Sequence, residues 1–346
     1  MQRKDKRVRA YFLISEKSDD YARMKSVGSI LEPFSWKHKM IHLLATKLVS
    51  SQASPFVINP FNAAFAPYRD ILSNQNFIFL QHGIIKDDIS GWLNRYSKDI
   101  KGFITSAQPE YESILDYDYY YTPNEVWLTG LPRHDLLYND AKKLITLMPT
   151  WRKYLNVGKG QVYKNGIWSL DDSFKNTDYY KFYNGILNNS RLLDAAEQCG
   201  YTIQFMPHPN VIDYIDMFER NNKCVFLTAA TPYKKVFAES DLVLTDYSSA
   251  VFDFLMLRKP VIYCQFDAES FFSGEHVYTR GYFDYERDGF GEVEYTLEST
   301  VDRIIEYMQN NCQLKEVYRD RIDKFLAFND KNNCERVFER IIQLGK

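Results

Sequence analysis

Six polar residues stand where short apolar runs end: His82 after FIFLQ, Ser106 after FIT, Arg133 after VWLTGLP, Arg152 after LMPTW, His208 after QFMP, and Asp246 after LVLT. In open α/β sheets the carboxyl ends of the strands border the ligand crevice, so residues of these types collected there can do chemistry. A lone histidine at a strand end is more often a packing residue than a reactive one. Here two of the chain's six histidines are placed this way, together with arginines and the Ser248–Ser249 pair, and function is the better account. The serines fall where a helix is expected to begin. They can cap its free N–H groups, and the helix dipole adds partial positive charge, which suits a phosphate. Capping alone would explain the serines but not the convergence of Arg152 and His208, and the set together suggests a diphosphate site. Asp246 would repel that anion unless it bonds loop N–H groups or a ligand hydroxyl, and it is expected to shape the loop. In the other half, Gly83 permits a tight turn after His82, leaving the imidazole exposed as a general base. Lys86, Asp87 and Asp88 follow; they either bind an acceptor or face solvent, and solvent is the expectation.

These residues need strands to hold them. Apolar runs at 10–15, 55–60, 77–82, 102–107 and 125–130, then at 144–150, 201–208, 223–228, 241–246 and 260–265, alternate with amphipathic stretches, the pattern of βα units in parallel sheets. Three mostly helical segments follow Leu297. The polar segment 131–143 separates the two sets, predicting an α/β domain over 1–140 and a second over 141–346 that carries the C-terminal helices. Segment 153–178 is rich in Gly, Asn and Lys without sustained period and reads as a long loop, functional or disordered. Trp168 within it either stacks on a ligand or pins the loop.

Composition narrows the classes. A net charge of -2 argues against a general nucleic-acid binder. Five scattered cysteines without CxxC spacing read as reduced thiols, with neither a disulfide framework nor a zinc site. Five of the first nine residues are Lys or Arg, but no apolar run follows that is long enough for a signal peptide or membrane span, so a cytoplasmic chain is expected.

A set of short motifs in order carries a resemblance: QHG at 81–83, GLPRHDLL at 130–137, PTWR at 149–152, FYNGILNN at 182–189, HP at 208–209, LTDYSSAVFDF at 244–254, KPVIY at 259–263 and RGYFDYERDGFGEV at 280–293. The chain resembles the CDP-glycerol glycerophosphotransferase family, the teichoic acid and capsule polymerases of bacteria. The resemblance implies a GT-B-like α/β fold, two Rossmann-like domains facing across a crevice. It implies attack of a polyol-phosphate hydroxyl on the β-phosphorus of CDP-glycerol, with CMP released. His82 would be the base. His208, Arg152 and the Ser248–Ser249 helix start would hold the diphosphate, with Gly83, Arg133 and Asp246 also at the substrate, and no cofactor or metal is implied. Where many members read HGTPLK this chain reads HGIIK, a difference that bears on the acceptor. CDP-ribitol or a sugar nucleotide are the alternative donors, and a non-catalytic nucleotide- or polymer-binding module is the alternative class.

A lipid-linked acceptor would place the protein on the inner face of the cell membrane. Segment 36–49 suits this: Trp36, Met40, Leu43, Leu44 and Leu48 can share one helical face, bordered by Lys37, Lys39 and Lys47. The basic N-terminus would add attraction to anionic lipid. An ordinary amphipathic helix packed on the first sheet fits the same pattern.

Overall fold

The computed structural model describes residues 8–54, 59–61, 75–155, 161–164, 167–170, 172–228, 230–272 and 279–345, together with Asp5, Tyr68 and Leu72. Strands β1 (Tyr11–Leu13) and β2 (Ser29–Leu31) form a parallel pair of their own. Strands β3 (Lys47–Ser50), β4 (Asn76–Phe79), β5 (Ile100–Thr105) and β6 (Val126–Leu128) make a four-stranded parallel sheet in that order. Beyond it come β7 (Leu144–Leu147), the antiparallel hairpin of β8 (Gln161–Lys164) and β9 (Ile167–Leu170), then β10 (Thr202–Phe205), β11 (Cys224–Phe226), β12 (Ser240–Thr245), β13 (Val261–Cys264) and β14 (Gly291–Glu294). Apart from the hairpin, these strands form a parallel sheet ordered β11-β10-β7-β12-β13-β14.

Strands buried on both faces read as unbroken apolar runs. FIF and VIYC do so, LITL is interrupted only by the buried Thr146, and all four residues of β13 are buried. Because β7 lies between β10 and β12, the strand order reverses at β7, and a crevice opens at the carboxyl ends of these three strands. Thr150, Trp151, His208 and the 246–249 turn all follow from those ends.

The two halves are joined as well as adjacent. One apolar cluster runs from Ile78, Ile104 and Trp127 of the first half to Phe252, Phe254 and Val261 of the second, and includes Ile322, Phe325, Val337 and Ile341 of the last two helices. Those helices, Glu316–Phe325 and Asn333–Gln343, return to the first half. The Asp135 carboxylate accepts from the N–H groups of Asn333 (3.0 Å) and Cys334 (2.7 Å), and Ala327 N–H donates to the Ser106 carbonyl at 3.1 Å.

Several elements differ from the sequence expectation. The amphipathic stretch 36–49 is a helix only over Trp36–Leu44, capped by Ser35 Oγ on His38 N–H; Lys47 and Leu48 belong to β3, the edge of the first sheet. The expected strand at 55–60 falls largely outside the described residues. The run at 10–15 is strand only over β1, and it pairs with β2 rather than with the main sheet. Short β2 and polar β14 carry too little apolar pattern to be read from sequence. Within 153–178 a hairpin replaces the expected loop, since two four-residue strands are too short to show a period. Trp168 falls in β9, and its side chain lies outside the described residues. All five cysteines are free thiols.

Candidate active site

A cavity of about 540 Å³ is lined from both halves of the chain, by His82, Gly83 and Lys86 on one side and Thr150, Trp151, His208, Ser248 and Ser249 on the other. Arg133 and Asp253 line it too. The structure thus brings together six of the eight site residues expected from sequence.

The two histidines are set in opposite tautomers by their main-chain partners. His82 is exposed, and its Nδ1 lies 3.3 Å from the Ser51 carbonyl. A carbonyl can only accept, so Nδ1 carries the hydrogen and Nε2 keeps its lone pair. His208 is the reverse: its Nδ1 accepts from Asn210 N–H at 3.1 Å, which puts the ring hydrogen on Nε2. Burial pushes the His208 pKa below its ordinary value against an opposing pull from Asp246, so the ring is neutral at pH 7. One imidazole is prepared to take a proton and the other to donate a hydrogen bond.

Arg133 ties the halves together at the cavity. Its Nη1 donates to the His82 carbonyl and its Nη2 to Asp253 Oδ1 at 2.6 Å. His134 Nε2 reaches the same carboxylate oxygen at 3.0 Å from a fully buried ring. Asp253 was not expected at the site. Its only sequence signal is a lone carboxylate inside the apolar VFDF run.

Arg152 and Asp246 do not line the cavity. Arg152 is 2% exposed, and its guanidinium is engaged all round: Nε and Nη2 to Asp267 at 2.6 and 3.1 Å, Nη1 to the Thr150 carbonyl at 2.8 Å and to Asp246 Oδ2 at 2.8 Å. Tyr247 and Phe271 rings lie 5.2 and 5.0 Å from it. Proximity to the strand ends suggested a donor ligand; packing against two carboxylates turns this side chain inward instead. Asp246, fully buried, accepts from Thr150 N–H (2.8 Å), Tyr247 N–H (2.7 Å) and Tyr183 O–H (3.1 Å). Burial and then Asp246 push the Tyr183 phenol upward, keeping it a donor. This network shapes the loops after β7 and β12, the part expected of Asp246; neither residue touches the cavity as a ligand.

The serine turn also differs in detail. The helix runs only over Val251–Leu255, with Ala250 at its N-cap position and no side-chain cap. Ser248 Oγ accepts instead from Ala250 N–H at 3.2 Å, while Ser249 is exposed. A single turn and a half carries little dipole, so what the turn offers an anion is hydroxyls and N–H groups. Gly83 is not the left-handed residue of its turn; Gln81 is, at φ 64°. A Cβ at Gly83 would meet Ser249 Oγ at 3.7 Å and Arg133 Nη2 at 3.8 Å, ordinary contact distances, so neither conformation nor a steric clash requires glycine here.

Lys86 is 4% exposed and not solvated as expected. Its Nζ pairs with Asp87 at 2.5 Å and lies 5.5 Å from the Tyr285 ring centroid. Segment 279–285 packs over this loop: Asp88 N–H donates to the Thr279 carbonyl at 2.9 Å, and Tyr282 O–H to the Ile85 carbonyl at 2.9 Å. Trp92 and Tyr233 also line the cavity, and nothing in their sequence context marked them.

The family model described as CDP-Glycerol:Poly(glycerophosphate) glycerophosphotransferase matches residues 1–343. The chain belongs to this glycerophosphotransferase family. Minor teichoic acid biosynthesis protein GgaB of Bacillus subtilis (strain 168) is 39% identical over 338 residues, covering 97% of this chain and 37% of GgaB. The teichoic acid poly(glycerol phosphate) polymerase of the same strain is 24% identical over 233 residues, 62% of this chain and 28% of the polymerase. The chain therefore spans 37% and 28% of the lengths of these two relatives. The solved wall teichoic acid polymerase TagF superposes with a TM-score of 0.66 at 16% identity, covering 99% of this chain and 84% of that one. The fold is GT-B-like, as the family resemblance implied.

Proposed function

We propose that this chain moves glycerol phosphate from CDP-glycerol to the terminal hydroxyl of a polyol-phosphate acceptor of the teichoic acid or capsule kind. The acceptor oxygen bonds to the β-phosphorus, the bond from that phosphorus to the CMP oxygen breaks, and the acceptor proton passes to His82 Nε2. The observation that carries this reading is the pair of opposed histidines in one cavity, His82 with a free lone pair and His208 with a donor hydrogen. An in-line phosphoryl transfer needs both, a base on the attacking hydroxyl and hydrogen-bond donors on the leaving diphosphate. Ser248 and Ser249 stand with His208 toward the donor, Arg133 links the two sides through the His82 carbonyl and Asp253, and Arg152 and Asp246 act behind them by shaping the loops. In this reading residues 1–140 present the acceptor and 141–346 the donor. A histidine-to-asparagine variant of TagF has been soaked with CDPG, which agrees with CDP-glycerol as donor here.

The acceptor is lipid-linked in this reading, and the chain works from the cytoplasmic face of an anionic membrane. Helix Trp36–Leu44 supports it, with Trp36 76% and Leu44 73% exposed and Phe34 beside it at 61%, while His38 and His42 face inward. Among the described residues no helix is long and apolar enough to cross a membrane.

The direct test is CMP release from CDP-glycerol with a lipid-linked glycerophosphate acceptor, run beside CDP-ribitol and UDP-sugars. His82→Ala should lower transfer by about 10²–10⁴-fold with CDP-glycerol affinity nearly unchanged. Full activity in that variant removes His82 as the base, and turnover of only another donor removes CDP-glycerol.

A further inference from the structure

Beneath the His82 turn lies a carboxylate that the proposed chemistry does not use. Glu110 is fully buried, and among the described residues no ion pair involves it. It occupies the third position of helix Gln108–Asp116, where one oxygen serves the helix start in an ordinary way, accepting from Ser106 N–H at 2.8 Å and Ala107 N–H at 3.5 Å. The other oxygen leaves the helix. It accepts from Ile85 N–H at 2.8 Å, three residues beyond His82, and from Gln81 Nε2 at 3.5 Å, one residue before it.

The turn between those contacts needs holding. Gln81 is a buried residue with a side chain in the left-handed region, φ 64°, a conformation unfavourable outside glycine. Such strain persists only where surrounding contacts over-determine it. Contacts from elsewhere hold the turn: Arg133 on the His82 carbonyl, Tyr282 on the Ile85 carbonyl, the Ser51 carbonyl at His82 Nδ1, and Glu110 on both the Ile85 N–H and Gln81 Nε2. Glu110 alone of these also grips the Ser106 end of β5, so one carboxylate couples the loops after two neighbouring strands.

We propose, resting on the phosphotransfer reading above, that Glu110 is a positioning residue for His82: by bridging Ile85 N–H and Ser106 N–H it locks the strained 81–85 turn and so aims the base into the cavity. The carboxyl has a property that makes this testable. Burial pushes its pKa up to about 7 against the opposing pull of the Ser106, Ile85 and Ala107 N–H groups. Among the described residues, Tyr282 from segment 279–285 and Tyr119 from segment 117–121 sense its charge, and both are pushed upward by burial and neutral in this range.

Glu110→Gln keeps the volume but sets an NH₂ against one of the two main-chain donors. Transfer rate should fall by about 100-fold, as a misaimed base does, with the KM for CDP-glycerol within about twofold. In a His82→Ala background the same substitution should change the residual rate little, because its effect passes through His82. An unchanged rate in the folded variant, or a loss equally large without His82, overturns the proposal. The unmodified chain gives a reading that does not need activity: the amide resonances of Ile85 and Ser106 should shift together with pH about one midpoint near 7. Titrations of those two amides about different midpoints, or shared shifts that persist in Glu110→Gln, overturn the bridge. If no CMP is released by the unmodified chain, the phosphotransfer reading fails on its own, and the paired amide titration still decides whether Glu110 holds the turn.

Discussion

His82 and His208 look alike in sequence, each closing an apolar run beside a turn residue, yet their neighbours give them different work. The Ser51 carbonyl leaves His82 a lone pair, whereas the Asn210 N–H leaves His208 a hydrogen. For His208 this has a consequence in pH. Its pKa is lowered by burial, so between the folded value and the ordinary 6.5 the unfolded chain binds more protons, and stability from this residue is present above pH 6.5 and lost on acidification through the folded value. Protonation would also force Nδ1–H against Asn210 N–H. We expect CDP-glycerol to bind at pH 7.5 without net proton uptake, shown by equal calorimetric heats in buffers of different ionisation enthalpy after correction. His208→Ala should weaken binding by about 10–100-fold, the range for a hydrogen bond to a charged group. Proton uptake on binding would mean that His208 acts as a cation instead.

At the scale of elements, the loops after β7 and β12 are held by charges buried behind the cavity lining. Arg152 is enclosed by Asp246 and Asp267, and Tyr183 and Tyr247 complete the carboxylates' partners. Removing one member of such a network strands buried charge, at a cost of about 3–5 kcal/mol. Arg152→Ala should therefore lower the urea midpoint by that equivalent with little change in slope. Arg152→Lys should recover only part, since an ammonium cannot bond Asp267 through two parallel N–H groups. A variant with an unchanged midpoint but reduced CDP-glycerol affinity would instead return Arg152 to direct donor contact. The largely apolar runs FIFL, LITL and LVLT gave these strands away because burial on both faces leaves a near-continuous signature. The ends of 36–49 did not, since a helix and an edge strand share that stretch and the helical pattern continues numerically into β3.

For the whole molecule, the exposed face of helix Trp36–Leu44 bears on where the chain works. Liposome co-sedimentation should show binding that requires anionic lipid, falls with salt, and weakens on Lys37→Glu with Lys39→Glu, by about 1 kcal/mol for each surface lysine lost. A chain left in the supernatant at low salt rules out the peripheral-membrane reading. Sequence alone determined the parallel α/β plan and the gathering of His82, Arg133, His208 and Ser248–Ser249 at strand ends, because apolar runs and the residues that terminate them are local in the chain. Only the tertiary structure decided what each polar group faces. The tautomer of His82 depends on a carbonyl 31 residues away, the inward turn of Arg152 on Asp267, 115 residues on, and the burial of Lys86 on a tyrosine of segment 279–285. A charge at a strand end is equally compatible with the crevice and with the core behind it, and the choice is made by whichever distant partner satisfies it when the chain closes.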